Sequence, residues 1–251
     1  MSLSLEDALR AACAAADRAR EEVLPRFRRV GVETKRDGSP VTEADRAAEQ
    51  VIRATLREAF PEHRILGEEY GEEGGADGPR WVVDPIDGTI AFSRGIPLFA
   101  TLIALLEDGE PVVGLIDLPA VGERYTAVRG GGCRRNGVPT RCSDERDLSR
   151  AIVSHGDPFC FERYGRADVF QRMARELPLL RGYTDAFGHA LVLGGGVGAM
   201  VDLDLNVWDA AATRLLVPEA GGRCETLPEV GGKLGLVLGS PALVEQLLAF
   251  F

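Results

Sequence analysis

The 251-residue sequence holds only three histidines and five cysteines, and their placement sets aside several chemistries at once. Cys13, Cys133, Cys142, Cys160 and Cys224 are odd in number and form no C-x-x-C pair, so neither a zinc site nor a disulfide framework is expected. That usage fits a reducing, cytoplasmic setting. No G-x-S-x-G motif occurs, and His63, His155 and His189 stand in no pattern that serves a serine nucleophile. There is no run of eighteen apolar residues, and Met1–Asp7 carry no basic or apolar leader, so neither a membrane span nor an export signal is expected. Positive charge is short as well. Lys and Arg number 29 against 39 Asp and Glu, a net charge of −10 that is unsuited to nucleic acid or anionic membrane. What remains is an acidic chain, 45% hydrophobic, long enough to bury a large core as one domain or two lobes.

The chemistry concentrates in Trp81-Val82-Val83-Asp84-Pro85-Ile86-Asp87-Gly88-Thr89. Trp81–Val83 reads as a buried strand that empties into two carboxylates three residues apart. Pro85 fixes its own φ and keeps Asp84 extended, and Gly88 permits a tight turn into a helix starting at or just after Thr89. Carboxylates hold hard divalent cations, and the free N–H groups of a helix start hold anions. The combination suits metal-assisted chemistry on a phosphate ester. The alternative is an ordinary Asp-Gly turn with solvated acids. Glu68 belongs to an acid run with Glu69, Glu72 and Glu73, and Asp209 and Thr89 sit where helix-start residues are common. Thr42-x-x-Asp45 reads as a capping box.

Trp81–Thr89 resembles the central signature of the inositol monophosphatase superfamily of magnesium-dependent, lithium-sensitive phosphatases. The flanking segments are similar in order: Lys35 followed by Val41-Thr42-x-x-Asp45, then Gly67-Glu68-Glu69, then Trp208-Asp209 with Glu219-Ala220-Gly221-Gly222. The resemblance covers about residues 30 to 225. It implies α+β and α/β halves stacked as a layered αβαβα sandwich. It implies two or three magnesium ions, replaceable by manganese, held by Glu68, Asp84, the Ile86 carbonyl, Asp87 and Asp209. Thr89 and Asp45 would orient the attacking water and Glu68 would help deprotonate it. The phosphate would lie on the N–H groups of Gly88 and Thr89, with Lys35 a more distant positive charge. A homodimer acting on a small phosphate ester completes the implication.

Phe92-Ser93-Arg94-Gly95-Ile96-Pro97-Leu98-Phe99, Thr101–Leu105 and Asp185-Ala186-Phe187-Gly188 are similar to the histidinol-phosphate phosphatase branch. Asp185, Asp202 and Arg94 are then the expected substrate contacts. Ile90 stands where that branch often has lysine, and Asp202 or Asp204 where inositol phosphatases use glutamate. The competing readings are an inositol or other sugar-phosphate phosphatase and a catalytically silent metal- or phosphate-binding module.

Along the chain, Ser4 caps a first helix with Leu5, Leu9, Ala12, Ala16, Ala19 and Val23 on one stripe, ending near Pro25. A second helix runs from Thr42 to Phe60. Strands are expected at Arg64–Leu66, Trp81–Val83, Leu98–Leu106, Val112–Asp117 and Arg124–Val128, with a glycine-rich mobile cover over Glu68–Pro79. After a polar link, strands Ala151–His155, Val197–Leu205 and Leu234–Leu238 alternate with helices Arg163–Glu176, Ala186–Leu193 and Ala210–Ala220. The division expected is an α+β lobe, residues 1–143, carrying most of the metal ligands, closed by an α/β lobe, residues 144–251. Gly194–Ala199 satisfies G-x-G-x-x-A, but with a helix before it and a strand after, the reverse of a dinucleotide site, so it reads as a helix stop.

Overall fold

Ser4 accepts a hydrogen bond from the Asp7 N–H at 3.3 Å and so caps α1 (Leu5–Arg26), which buries a stripe of alanines ending at Val23. Pro25 is accommodated in the last turn of this helix. The structure, a computed structural model, describes residues 4–29, 31–34, 40–75 and 77–251; Lys35 lies outside them. A short antiparallel pair, β1 (Val32–Thr34) and β2 (Pro40–Thr42), leads into α2 (Glu43–Ala59), which packs on α1.

Eight strands follow: β3 (Arg64–Gly67), β4 (Gly71–Glu73), β5 (Arg80–Asp87), β6 (Ala100–Glu107), β7 (Glu110–Leu118), β8 (Glu123–Val128), β9 (Arg134–Arg135) and β10 (Val138–Pro139). They form one sheet in the order β10-β9-β8-β7-β6-β5-β3-β4, with α3 (Thr89–Ser93) between β5 and β6. Side chains alternate across this sheet as a strand demands. Trp81, Val83, Ile103, Leu105 and Leu115 pack against α1 and α2, while Val82, Leu102, Ala104 and Ile116 face the other way.

The remainder comprises β11 (Val153–His155), α4 (Pro158–Arg163), α5 (Ala167–Glu176), β12 (Leu180–Arg181), α6 (Asp185–Leu193), β13 (Ala199–Leu205), α7 (Val207–Glu219), β14 (Arg223–Val230), β15 (Lys233–Gly239) and α8 (Pro241–Leu248). Five strands make the second sheet, ordered β12-β11-β13-β15-β14. Helices α6 and α7 fill the space between the sheets, where Ala190, Leu216, Leu236 and Leu238 join the inner face of the first sheet in one core. Helices α4, α5 and α8 cover the outer face over Val201, Leu203 and Val237. The layers are α1/α2, eight-stranded sheet, α6/α7, five-stranded sheet and α4/α5/α8: the expected αβαβα sandwich. All strands of the larger sheet precede residue 143 and all strands of the smaller follow 144.

Three local expectations change. The helix expected over Arg163–Glu176 starts later, at Ala167 (α5), and a separate short helix, α4, ends at Arg163; Gly165 at φ 74° keeps the two apart. The segment Glu68–Pro79 is not a free cover: β4 pairs antiparallel with β3 at the sheet edge. Buried Glu49 accepts N–H bonds from Glu69 (2.7 Å) and Tyr70 (3.2 Å) and pairs with Arg53 at 2.8 Å, tying this segment to α2. Strand β14 was not expected, since its mostly exposed or half-buried side chains leave no apolar run.

Candidate active site

Strand β5 delivers the carboxylates through a bulge between Asp84 and Asp87, and the turn is pinned where Thr101 Oγ1 donates to the Pro85 carbonyl at 2.8 Å. Asp84 Oδ1 accepts the Ile86 N–H at 3.0 Å. Gly88 then takes φ 81°, and a Cβ there would lie 2.8 Å from the Leu98 carbonyl oxygen, so glycine is required. The chain enters α3 at Thr89.

Two further acids arrive from other elements. Parallel pairing of β3 with β5 sets Gly67 beside Val83, and the Glu68 N–H donates to the Val83 carbonyl at 3.2 Å, which brings Glu68 to the same end as Asp84. Asp209 lies in the first turn of α7, where its Oδ2 accepts from the Asn206 N–H at 2.7 Å and from Asn206 Nδ2 at 3.2 Å. Asp87 Oδ2 accepts the Ala186 N–H at 2.6 Å, joining β5 to the start of α6.

Asp84, Asp87 and Asp209 each offer an oxygen within 4.8 Å of the others. They line a cavity of about 190 Å³ together with Glu68, Ile86, Gly88, Thr89, Asp157, Asp185, His189 and Asp202. Among the described residues, no lysine or arginine lines it. Burial, then the charges of Glu68 and Asp87, pushes Asp84 well above the carboxylate range; burial and Asp185 do the same to Asp87. Burial raises Asp209 to about 7 against the pull of the Asn206 hydrogen bond, and burial with the neighbouring Asp202 raises Asp185 to about 6. Carboxylates this crowded are stable as anions only with a cation among them, and an all-oxygen donor set fits a hard divalent ion. The residues present therefore fit the metal.

A pH dependence follows. Asp209 and Asp185 have folded-state values raised to about 7 and about 6, above their ordinary value of 3.8. The folded chain holds more protons than the unfolded one in that interval, so stability is full below about pH 4 for these groups and falls as pH rises toward 7. Thermal melts in chelator should show the midpoint falling over this interval from these groups, with magnesium recovering most of the loss at pH 7.5. A metal-free midpoint rising between pH 5 and 7 and unaffected by magnesium would contradict this.

Thr89 Oγ1 lies 3.2 Å from Asp45 Oδ1 and 3.0 Å from the Ile86 carbonyl. The other Asp45 oxygen closes a capping box on α2, accepting from the Thr42 N–H at 2.8 Å and Thr42 Oγ1 at 2.6 Å. Asp45 thus closes the capping box with one oxygen and meets Thr89 with the other, and burial raises its pKa. Asp185 stands at φ 58° at the start of α6, its Oδ2 held by Thr184 Oγ1 at 3.0 Å. Asp202 is 4% exposed on β13. Arg94 does not join them: it caps the C-terminal end of α3, exposed, outside the cavity lining.

Asp157 and His189 were not foreseen as site residues. Asp157 had a local signal. His155-Gly156-Asp157-Pro158 repeats the order of strand, aspartate, proline seen at Asp84-Pro85. His189 had none, being an interior position of α6. The glycines after α6 act as a helix stop: Gly194 caps it and Gly195 turns the chain at φ 75°.

The sequence profile of the inositol monophosphatase family matches residues 4–245. The chain is 40% identical over 248 residues to a histidinol-phosphatase of Streptomyces coelicolor, covering 94% of this chain and 91% of that protein. It is 39% identical over 236 residues to a histidinol-phosphatase of Mycobacterium tuberculosis, covering 91% of each. The fold superposes on an inositol monophosphatase from Zymomonas mobilis with a TM-score of 0.86 at 33% identity, over 99% of both chains. The eight-stranded sheet, the acid cluster at the end of β5 and the match along nearly the whole sequence lead to one conclusion: the chain belongs to the inositol monophosphatase family, whose members are metal-dependent phosphatases.

Proposed function

We propose that the protein is a magnesium-dependent phosphomonoesterase that converts L-histidinol phosphate to L-histidinol. Beyond the metal set, Asp157, Asp185, Asp202 and Asp204 line the cavity; Asp204 is paired with Arg163 at 3.2 Å, and the other three carry the assignment. Asp157 and Asp185 also border an adjoining cavity of about 330 Å³ whose other walls include Ile90, Ala91, Ile96 and Leu98. An apolar wall beside carboxylates suits a leaving group with an imidazole and an ammonium, whereas a polyol offers no charge to meet them. The two relatives named histidinol-phosphatase support the same assignment.

Glu68, Asp84, the Ile86 carbonyl, Asp87 and Asp209 would hold two or three magnesium ions, with manganese able to substitute. Such ions, when bound, neutralise the phosphoryl oxygens and favour attack by water. Thr89 donates its hydroxyl proton to Asp45, and its oxygen then accepts a hydrogen bond from the attacking water. The raised basicity of Asp45 suits it to that proton. Gly88 and Thr89 present backbone N–H groups to the phosphate, and Lys35 adds a more distant positive charge. Asp185 and Asp202 hold the cationic leaving group. The same reading includes a homodimer in the cytoplasm, the oligomeric state being measurable by sedimentation.

Phosphate release from histidinol phosphate and from myo-inositol 1-phosphate, each with and without magnesium, tests the proposal. A buried carboxylate deprived of a cationic partner costs a few kcal/mol, so kcat/KM should favour histidinol phosphate by at least about 100-fold. Asp185→Asn should narrow that ratio. Comparable efficiency on both substrates would defeat the histidinol assignment, and full activity after chelation would defeat the metal requirement.

A further inference from the structure

We infer that His189 is a positioning residue that fixes Asp202 toward the leaving group, with Thr213 choosing the ring tautomer and Gly156 making room for the carboxylate. His189 is 1% exposed in α6, and both ring nitrogens are engaged. Nε2 lies 3.1 Å from Asp202 Oδ2, and Nδ1 lies 2.8 Å from Thr213 Oγ1. A carboxylate offers only acceptors, so Nε2 carries the proton and donates. Thr213 is fully buried, and among the described residues its hydroxyl has no hydrogen-bond partner except Nδ1. The hydroxyl proton therefore points at Nδ1, which accepts it, and the Nε2–H tautomer is imposed.

The second Asp202 oxygen is constrained from the other side. A Cβ on Gly156 would overlap Asp202 Oδ1, so that oxygen occupies the space a side chain would take. Pairing of β11 with β13 sets His155 beside Val201, and the Gly156 N–H donates to the Val201 carbonyl at 2.9 Å, which holds the glycine against Asp202. Asp202 is thus held at one oxygen by an N–H and hemmed at the other by backbone, and it has little freedom to rotate.

The helix that carries Thr213 also carries one of the metal carboxylates. Thr213 stands four residues beyond Asp209 on α7, hence on the same helix face. Thr213, His189 and Asp202 form a hydrogen-bonded line, with Asp209 one helical turn before Thr213. His189 on α6 thus bridges Asp202 on β13 to Thr213 on α7.

The inference about specificity rests on the histidinol phosphate reading; the tautomer does not. The experiment compares wild type, His189→Leu, His189→Gln and Thr213→Val on histidinol phosphate and on p-nitrophenyl phosphate, whose leaving group carries no cation, and records the ¹⁵N spectrum of His189 in the wild-type holoenzyme. His189→Leu should raise KM for histidinol phosphate by roughly 10- to 100-fold, with a smaller change in kcat, and lower the ratio of the two kcat/KM values. Glutamine places an N–H near the position of Nε2 and should restore much of that ratio. The spectrum should show Nε2 protonated and Nδ1 bare. An Nδ1–H tautomer, or a leucine variant that lowers both substrates equally, overturns the inference. If wild type shows no preference for histidinol phosphate, the substrate reading falls while the spectrum still decides the tautomer. Should the leucine variant fail to fold, Thr213→Val decides: a loss of preference with restored function in Thr213→Ser supports the relay, and an unchanged preference refutes it.

Discussion

Asp87→Asn is expected to cut kcat/KM by at least about 1,000-fold, equivalent to ~4 kcal/mol of transition-state stabilisation, while leaving the fold intact. Asparagine keeps the shape of aspartate and one acceptor oxygen, so the 2.6 Å bond from the Ala186 N–H that docks α6 on β5 can persist. What it removes is a charge from a group of three carboxylates whose oxygens lie within 4.8 Å of one another. That charge is costly to hold without a cation, since burial and Asp185 push Asp87 far above its ordinary carboxylate value. The substitution should therefore act in opposite directions on two measurements. The metal-free variant should melt higher than metal-free wild type, because one repelling charge is gone. Its stabilisation by magnesium should shrink, because the ion has lost a ligand. Circular dichroism melts with and without magnesium, beside phosphate release at saturating magnesium, separate these effects. Near wild-type turnover in a folded variant would make Asp87 only a turn residue.

The opposed stability effects bear on why this part of the site was legible in the sequence. A buried strand does not end in two aspartates unless something compensates their charge, so Trp81–Asp87 announced a cation site before any contact was known. Helices α1 and α2 were equally plain, because a capping side chain and a repeating apolar stripe are local signals. The layer order came from family resemblance, since periodicity says nothing about which face of a sheet a helix covers. The residues that escaped notice are those whose partners are distant in sequence. Gly156 meets Asp202 only through the register of β11 on β13, and His189 meets Thr213 only because α6 and α7 share the space between two sheets. Glu49 carries no local signal; its burial beneath Glu69 and Tyr70 is a tertiary fact. Arg94 shows the converse case. Expected beside the substrate from its motif, it stands exposed at the C-terminal end of α3, five residues beyond Thr89 and outside the cavity lining.

Thr89→Ala should lower kcat by about 100- to 10,000-fold and change KM little. The hydroxyl has one proton and two acceptors within reach, Asp45 Oδ1 at 3.2 Å and the Ile86 carbonyl at 3.0 Å. Either choice turns a lone pair away from those acceptors and leaves it to receive a proton from water. Donation to Asp45 matters more, because a carboxylate made more basic by burial can take up proton density as the water loses it. That interaction grows only as the nucleophile forms, so it belongs to the transition state and shows in kcat. Backbone N–H groups at Gly88 and residue 89 survive the substitution, so phosphate binding should persist. The main structural cost is a lost contact with Asp45, whose other oxygen still caps α2 through Thr42. Thr89→Ser keeps the hydroxyl and should recover most of the rate, while Asp45→Asn should resemble Thr89→Ala. An alanine variant with unchanged kcat and a raised KM would make Thr89 a phosphate clamp, and a serine variant as slow as alanine would show that the methyl group, not the hydroxyl, is what the site requires.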